Sequence, residues 1–253
     1  MKITTQDKIL NTLNTAQIAT AYNLEPWFST LEDFDDRLQT PYRALLTLEK
    51  KQLIKEVLVS PQVGTLHKWN TFYTPVGNKV EPIRETMLRH ESGIADVVLA
   101  FIFLYPDFDV TVDYRKKFEL KDFFYYPDAL ITLSKDGKMY QFLLEFERSH
   151  KPDDFKTRKI DKILKLGRLD KLGLSPHTKV LVVVSHENYG GYYRPSQYAE
   201  VDKAQMNQVH NRFEAIRSLK CSPIFRFLPF PDFYRLNEPV WFSPTGSRVK
   251  LIN

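Results

Sequence analysis

The chain of 253 residues holds a single cysteine, Cys221, which excludes an internal disulfide framework and any multi-cysteine zinc site. A reducing compartment is the simplest fit, and the cytoplasm is the expected location. Nine glycines and fifteen prolines are too few for a collagen-like or low-complexity chain. The polar, amphipathic start MKITTQDKILNTLNT lacks the apolar core of a secretory signal. The longest apolar stretch, Ile94–Tyr105, already contains Asp96 and falls short of the roughly 20 apolar residues a membrane span needs. It reads as a buried helix, and no membrane partner is expected. No Gly-rich phosphate loop is present, which argues against nucleotide hydrolysis, and Ser185-His186 lacks a G-x-S-x-G elbow. The histidines have no metal-ligand spacing, so they read as structural or surface residues.

What is present is an ordinary globular composition, 43% hydrophobic, with aromatics at 13% to build cores. The formal net charge of +5 hints at an anionic partner. The texture changes near the turn-rich join Gly77-Asn78-Lys79-Val80-Glu81-Pro82, which divides the chain into expected domains 1–77 and 78–253. No internal repeat is visible.

In the first domain Thr4 or Thr5 can cap a helix that carries Ile9, Leu10 and Leu13 on one face. A second helix is expected from Thr15, with Ile18, Ala19 and Tyr22. A third is expected from Thr40, with Pro41 in the first turn, where its missing N–H costs nothing. Tyr42, Leu45, Leu46 and Leu53 recur at helical spacing as its buried stripe, opposite Arg43, Ala44, Thr47, Lys50 and Lys51. Leu53–Val59 and Asn70–Thr74 read as two strands around a turn at Ser60–Gly64. Three helices and a hairpin are the order of a winged helix-turn-helix, whose third helix reads a DNA groove. Arg43, Thr47, Lys50 and Lys51 are therefore the candidate DNA contacts. A solvated face of an ordinary helical subdomain is the plainer alternative.

The second domain alternates helix, strands, helix, strand, helix and strand, the grammar of a mixed α/β domain. Asp109–Phe118 and Tyr125–Leu133 read as strands. Lys135-Asp136-Gly137-Lys138 reads as a tight turn into Met139–Glu147. Asp128 opens one strand, and Glu145 and Glu147 close its hairpin partner. Residues two apart on a strand share a face, so both glutamates point the same way. Carboxylates from adjacent strands can converge on Mg²⁺, which prefers oxygen ligands and can activate water for phosphodiester hydrolysis. Asp128 and Glu145 are the candidate metal ligands. The plainer alternative is a Pro-Asp turn with surface charges, since Pro-Asp occurs four times in the chain.

Asp153–Leu172 is expected to be a basic helix. From Arg148 to Lys171 nine Lys or Arg stand against four Asp, an excess as large as that of the whole chain. Ile160, Ile163 and Leu164 give it an apolar contact, with Lys159, Lys162 and Lys165 on other faces. Lys159 and Lys162 are further candidate phosphate contacts, and a solvated helix is the alternative. Lys179–Ser185, about Asp202–Lys220 and Ile224–Leu228 complete the pattern as strand, helix and strand. Tyr189-Gly190-Gly191-Tyr192-Tyr193 reads as a surface loop.

Pro127-Asp128, a hairpin and Glu145-Phe146-Glu147 within this element order resemble the PD-(D/E)XK nuclease-like fold. With the winged-helix pattern, the segment Leu88-Arg89-His90 to Asp96-Val97, PDALITL and FLLEFERSHK, the chain also resembles the replication-relaxation family of bacterial plasmids and mobile elements. The resemblance implies a protein of a mobile element that binds double-stranded DNA and carries a nuclease-derived second domain. It assigns candidate catalytic roles to Asp128, Glu145, Glu147 and Lys159, and matches Glu91 to an additional acid. Active members usually carry lysine where Glu147 stands, and a carboxylate cannot supply that positive charge. The leading expectation is therefore a DNA-binding protein with a degenerate or weakly active nuclease-like domain, acting in replication, mobilisation or regulation. The alternatives are a Mg²⁺-dependent endonuclease using Asp128 and Glu145, and an adaptor that recruits a replication or transfer protein. An exposed apolar patch on the second domain would favour the adaptor. The sequence leaves the oligomeric state open, a homodimer included.

Overall fold

The computed structural model describes residues 3–28, 34–60, 71–120, 123–148, 160, 162–163, 172–185, 203–216 and 222–252. Its contacts divide the chain into two units, and the division falls between Phe103 and Leu104.

The first unit begins with helix α1 (Thr5–Ala16), capped as the sequence predicts: the Thr4 hydroxyl accepts from the Asp7 N–H, and the Asp7 carboxylate accepts from the Thr4 N–H. The chain does not start its second helix at Thr15. Gln17 ends α1 in a left-handed conformation, φ 63°, and Ala19 then runs extended and exchanges hydrogen bonds with Tyr73. Helix α2 (Ala21–Phe28) follows, with Thr20 and Asn23 bonded to each other across its first turn. Helix α3 (Phe34–Lys50) begins six residues before Thr40, so Pro41 lies inside it. The ring forfeits one backbone hydrogen bond, against which stands the burial of Pro41, Ala44, Leu45 and Leu48.

Two side chains change sides relative to the expected stripe: Ala44 is buried, and Leu53, beyond the helix end, is 43% exposed. The expected strand Leu53–Val59 is two short strands, β1 (Ile54–Glu56) and β2 (Val59–Ser60). They have different partners: β1 pairs antiparallel with β3 (Tyr73–Pro75), and β2 pairs parallel with β4 (Ile83–Arg84). Apart from Ser60, the expected turn lies outside the described residues.

Helix α4 (Leu88–Leu104) is apolar all round in its middle, and every residue from Glu91 to Phe101 is buried. Its first turns belong to the first unit. The Asn23 side-chain amide donates to the Ser92 carbonyl (3.1 Å), the Ser92 hydroxyl (3.0 Å) and the Asp96 carboxylate (2.8 Å). Trp27 stacks on Phe103 at 4.9 Å. The turn-rich join at Gly77–Pro82 is thus followed by a helix whose partners precede the join, which is why the division falls later. No helix among the described residues is long and apolar enough to cross a membrane.

The second unit is built on a mixed seven-stranded sheet. In chain order the strands are β5 (Asp109–Tyr114), β8 (Ala129–Lys135), β9 (Lys138–Glu147), β10 (Lys179–Val184), β11 (Phe225–Pro229), β12 (Trp241–Phe242) and β13 (Arg248–Val249). They lie side by side in the same order. β9, β10 and β11 are parallel and every other pair is antiparallel. The expected strand Asp109–Phe118 breaks at Arg115, φ 48°, and beyond it a small hairpin forms from β6 (Phe118–Leu120) and β7 (Phe123–Tyr125). One sheet face carries Leu130, Leu143, Val180, Val182 and Phe227. It shares a core with Ile160, Ile163 and with Val209, Phe213 and Ile216 of helix α5 (Lys203–Ile216). Each such side chain contributes roughly 1.5–3 kcal/mol by leaving water. Of the expected basic helix only Ile160, Lys162 and Ile163 are described, and the Tyr189–Tyr193 loop lies outside the described residues.

Candidate functional site

Strand alternation places the three acids. The β8–β9 register ends with Ala129 paired to Leu144, and Asp128 and Glu145 are the next residues outward on the two strands. On β9 the period of two puts Leu143, Glu145 and Glu147 on one face. Their partners Val180, Val182 and Val184 on β10 line the core that α5 covers. Glu145 and Glu147 therefore share one end of that face, and Asp128 stands at the start of β8 beside the end of β9.

Asp128 is fixed through its backbone and its side chain. Its N–H donates to the Leu144 carbonyl (3.0 Å), and its carbonyl accepts from the Arg115 N–H (3.2 Å). Its carboxylate accepts the Phe146 N–H at 2.7 Å, which ties the start of β8 to the end of β9. Glu145 is sealed at 1% exposure, and the Tyr125 hydroxyl donates to its Oε1 at 2.5 Å. Burial pushes the Tyr125 hydroxyl pKa well up, and the negative charges of Glu145 and Asp128 and the hydrogen bond to Glu145 push the same way. Tyr125 is therefore a lasting proton donor to the carboxylate.

Glu147 is half-buried at the end of β9, and its carbonyl accepts the Ser185 N–H at 2.8 Å. Its charge reaches Arg212 on α5, a guanidinium side chain only 1% exposed. Burial lowers the Arg212 pKa, and Glu147 opposes that shift by favouring the charged form. The cation whose charge Glu147 favours thus belongs to the helix. Sequence reasoning passed over Arg212. The available signal was its spacing: Val209, Arg212, Phe213 and Ile216 form an i, i+3, i+4, i+7 stripe, with arginine where an apolar residue is the rule.

Among the described residues no group of three or more His, Cys, Asp or Glu gathers to hold a metal ion. Two carboxylates with waters suffice for some Mg²⁺ sites. Here the half-buried Asp128 serves a backbone N–H, and Glu145 serves a buried tyrosine, away from the water Mg²⁺ keeps in its shell. As they stand, these two residues do not fit a resident Mg²⁺. Glu91 is buried in the first turn of α4. Lys162 is exposed, and Lys159 lies outside the described residues.

The other candidates lie on α3 of the first unit. Arg43, Lys50 and Lys51 are exposed. The Thr47 hydroxyl donates to the Arg43 carbonyl (2.8 Å), and the Lys51 ammonium donates to the Gln6 side-chain oxygen (3.0 Å).

Compared with protein-family models, with curated proteins and with solved structures, the chain gives no significant match.

Proposed function

We propose that this is a double-stranded-DNA-binding protein of a plasmid or mobile element, joining a winged-helix unit to a nuclease-like unit that does not cut DNA efficiently. The observation that carries the DNA-binding reading is the arrangement around β3. This strand lies between Ala19, in the link from α1 to α2, and β1, which follows α3. Three helices with a small sheet of that connectivity are what a winged helix requires, and α3 then stands where a groove-reading helix stands. Its Arg43, Lys50 and Lys51 are exposed cations on that helix. The attribution to a mobile element rests on the sequence resemblance.

The degenerate nuclease reading is supported by the acids. What supports it is the order α4, β5, β8, β9, β10, α5 around a mixed sheet, with Asp128 at the start of β8 and Glu145 near the end of β9. The charge of Glu147 favours the charged form of the buried Arg212 guanidinium, and Glu145 is capped by a tyrosine. Same-face placement of Asp128 and Glu145 also favours the second reading, a Mg²⁺-dependent endonuclease, in which a cation displaces the Tyr125 hydrogen bond.

Fluorescence anisotropy on a labelled DNA duplex tests the first claim. Changing Arg43, Lys50 and Lys51 together to Ala should weaken binding about tenfold or more and flatten its salt dependence, because three phosphate neutralisations are lost. Unchanged affinity would remove α3 from the interface. Incubating the native protein with plasmid DNA and Mg²⁺ or Mn²⁺ tests the second. Slow or absent nicking is expected. Rapid cleavage that disappears in Asp128→Ala/Glu145→Ala would make the endonuclease the better reading.

A further inference from the structure

The β6–β7 hairpin presents an exposed face that joins aromatic rings to lysines. Alternation sets its two sides apart: Phe118 and Tyr125 turn inward, with their rings stacked 6.2 Å apart. Phe124 and Tyr126 consequently turn outward and are 45% and 47% exposed. Lys117 holds its ammonium 3.7 Å from the centre of the Phe124 ring. Lys116 and Lys117 also meet Asp113 at 3.4 Å and Glu119 at 3.7 Å. These are solvent-exposed pairs of the kind that contributes little and exchanges readily for another anion.

We infer that this face is a stacking platform for a single DNA strand, with Phe124 and Tyr126 under the bases and Lys116 and Lys117 on the phosphates. The inference rests on the DNA-binding reading but uses a surface separate from α3. An apolar protein partner would have to strip water from the two lysines without returning a charge. A nucleic acid strand supplies both the flat π-face and the anion. Bases in a duplex are already stacked on one another, so an exposed aromatic pair selects a strand whose bases are open. The platform is also anchored to the acidic site. Tyr126 is two residues from Asp128, and Arg115, at the hairpin's root, donates its N–H to the Asp128 carbonyl from a left-handed backbone. A non-glycine residue in that conformation is uncommon and concentrates at binding sites. A strand lying on the hairpin is thereby led to the end of the sheet that carries Asp128 and Glu145.

The test uses the full chain and a fluorescein-labelled oligothymidylate with no complementary strand. The native protein should bind it. Phe124→Ala with Tyr126→Ala should weaken binding about tenfold or more, the loss expected when a stacked base is released. Phe124→Trp should retain it, and Lys116→Ala with Lys117→Ala should flatten its salt dependence. All four side chains are exposed, and an unchanged melting temperature checks that the variants fold. Arg43→Ala/Lys50→Ala/Lys51→Ala should leave oligothymidylate binding intact while weakening duplex binding. Insensitivity of duplex binding to the α3 changes would count against the winged-helix reading alone. Failure of the native protein to bind oligothymidylate, or equal binding by Phe124→Ala/Tyr126→Ala, would overturn the platform and return this face to the adaptor reading.

Discussion

At the scale of single residues, the most consequential group outside the acidic site is Asp96. It is 6% exposed, and its carboxylate accepts from Asn23 at 2.8 Å. Burial pushes its pKa up to about 7, and the hydrogen bond from Asn23 only partly offsets this. In the unfolded chain the same group ionises near its ordinary value of about 4. Between those two values the folded protein binds a proton that the unfolded chain has released, so stability falls as pH rises through this window and levels off above it. From pH 5 to pH 8 the loss is on the order of 3 kcal/mol at 1.36 kcal/mol for each unit of pH. Asp96→Asn keeps an oxygen for Asn23 and removes the charge. Urea unfolding should therefore find the variant's advantage over the native protein clearly larger at pH 8 than at pH 5. An equal gain at both pH values would show that the carboxyl does not titrate in this window.

At the scale of elements, the β8–β9 hairpin fixes the acidic site, because its register brings the start of β8, at Asp128, beside the end of β9, at Glu145. That register is held by a two-residue turn in which both Asp136 (φ 50°) and Gly137 (φ 73°) have positive φ, between paired Lys135 and Lys138. Such a turn matches the right-handed twist of the strands it joins. A Cβ at Gly137 would meet nothing within 4 Å, so the cost of replacing it lies in the backbone alone. Gly137→Val should cost about 1–2 kcal/mol, the penalty of a left-handed conformation for a side chain of that kind. A shift of the urea midpoint with unchanged slope would report it. No shift would mean that the turn relaxes into another type.

At the scale of the whole molecule, the open matter is what folds alone. Residues 1–77 contain the three helices and the β1–β3 pair. They lack α4, which receives all three Asn23 amide bonds and the stacking of Trp27 on Phe103. Without α4 the buried Asn23 amide loses its acceptors, a cost of about 1–3 kcal/mol for an unsatisfied group. A fragment of residues 1–103 should melt cooperatively by circular dichroism, whereas 1–77 should show a lower or broader transition. Equal melting of the two fragments would place α4 outside the first unit's core.

Much of this organisation was legible in the sequence because it is local. Thr4 with Asp7 three residues on writes a helix cap, Asp136-Gly137 writes a turn, and alternation along β9 puts Glu145 and Glu147 on one face whatever surrounds them. The errors are of another kind. The second helix was expected too early because Gln17 and Ala19 give no local sign of a left-handed cap and a bridge to Tyr73, fifty-odd residues away. Periodicity put Ala44 on the open face and Leu53 on the buried one, since it ranks positions around a helix without showing where the helix ends or what it meets. The allegiance of α4 to Asn23, the cap of Tyr125 on Glu145 and the burial of Arg212 were settled only by the tertiary structure. Short-range geometry determines which residues share a face. Whether a charge on that face meets water, a donor or an opposite charge depends on residues far along the chain, and so only the folded molecule decides it.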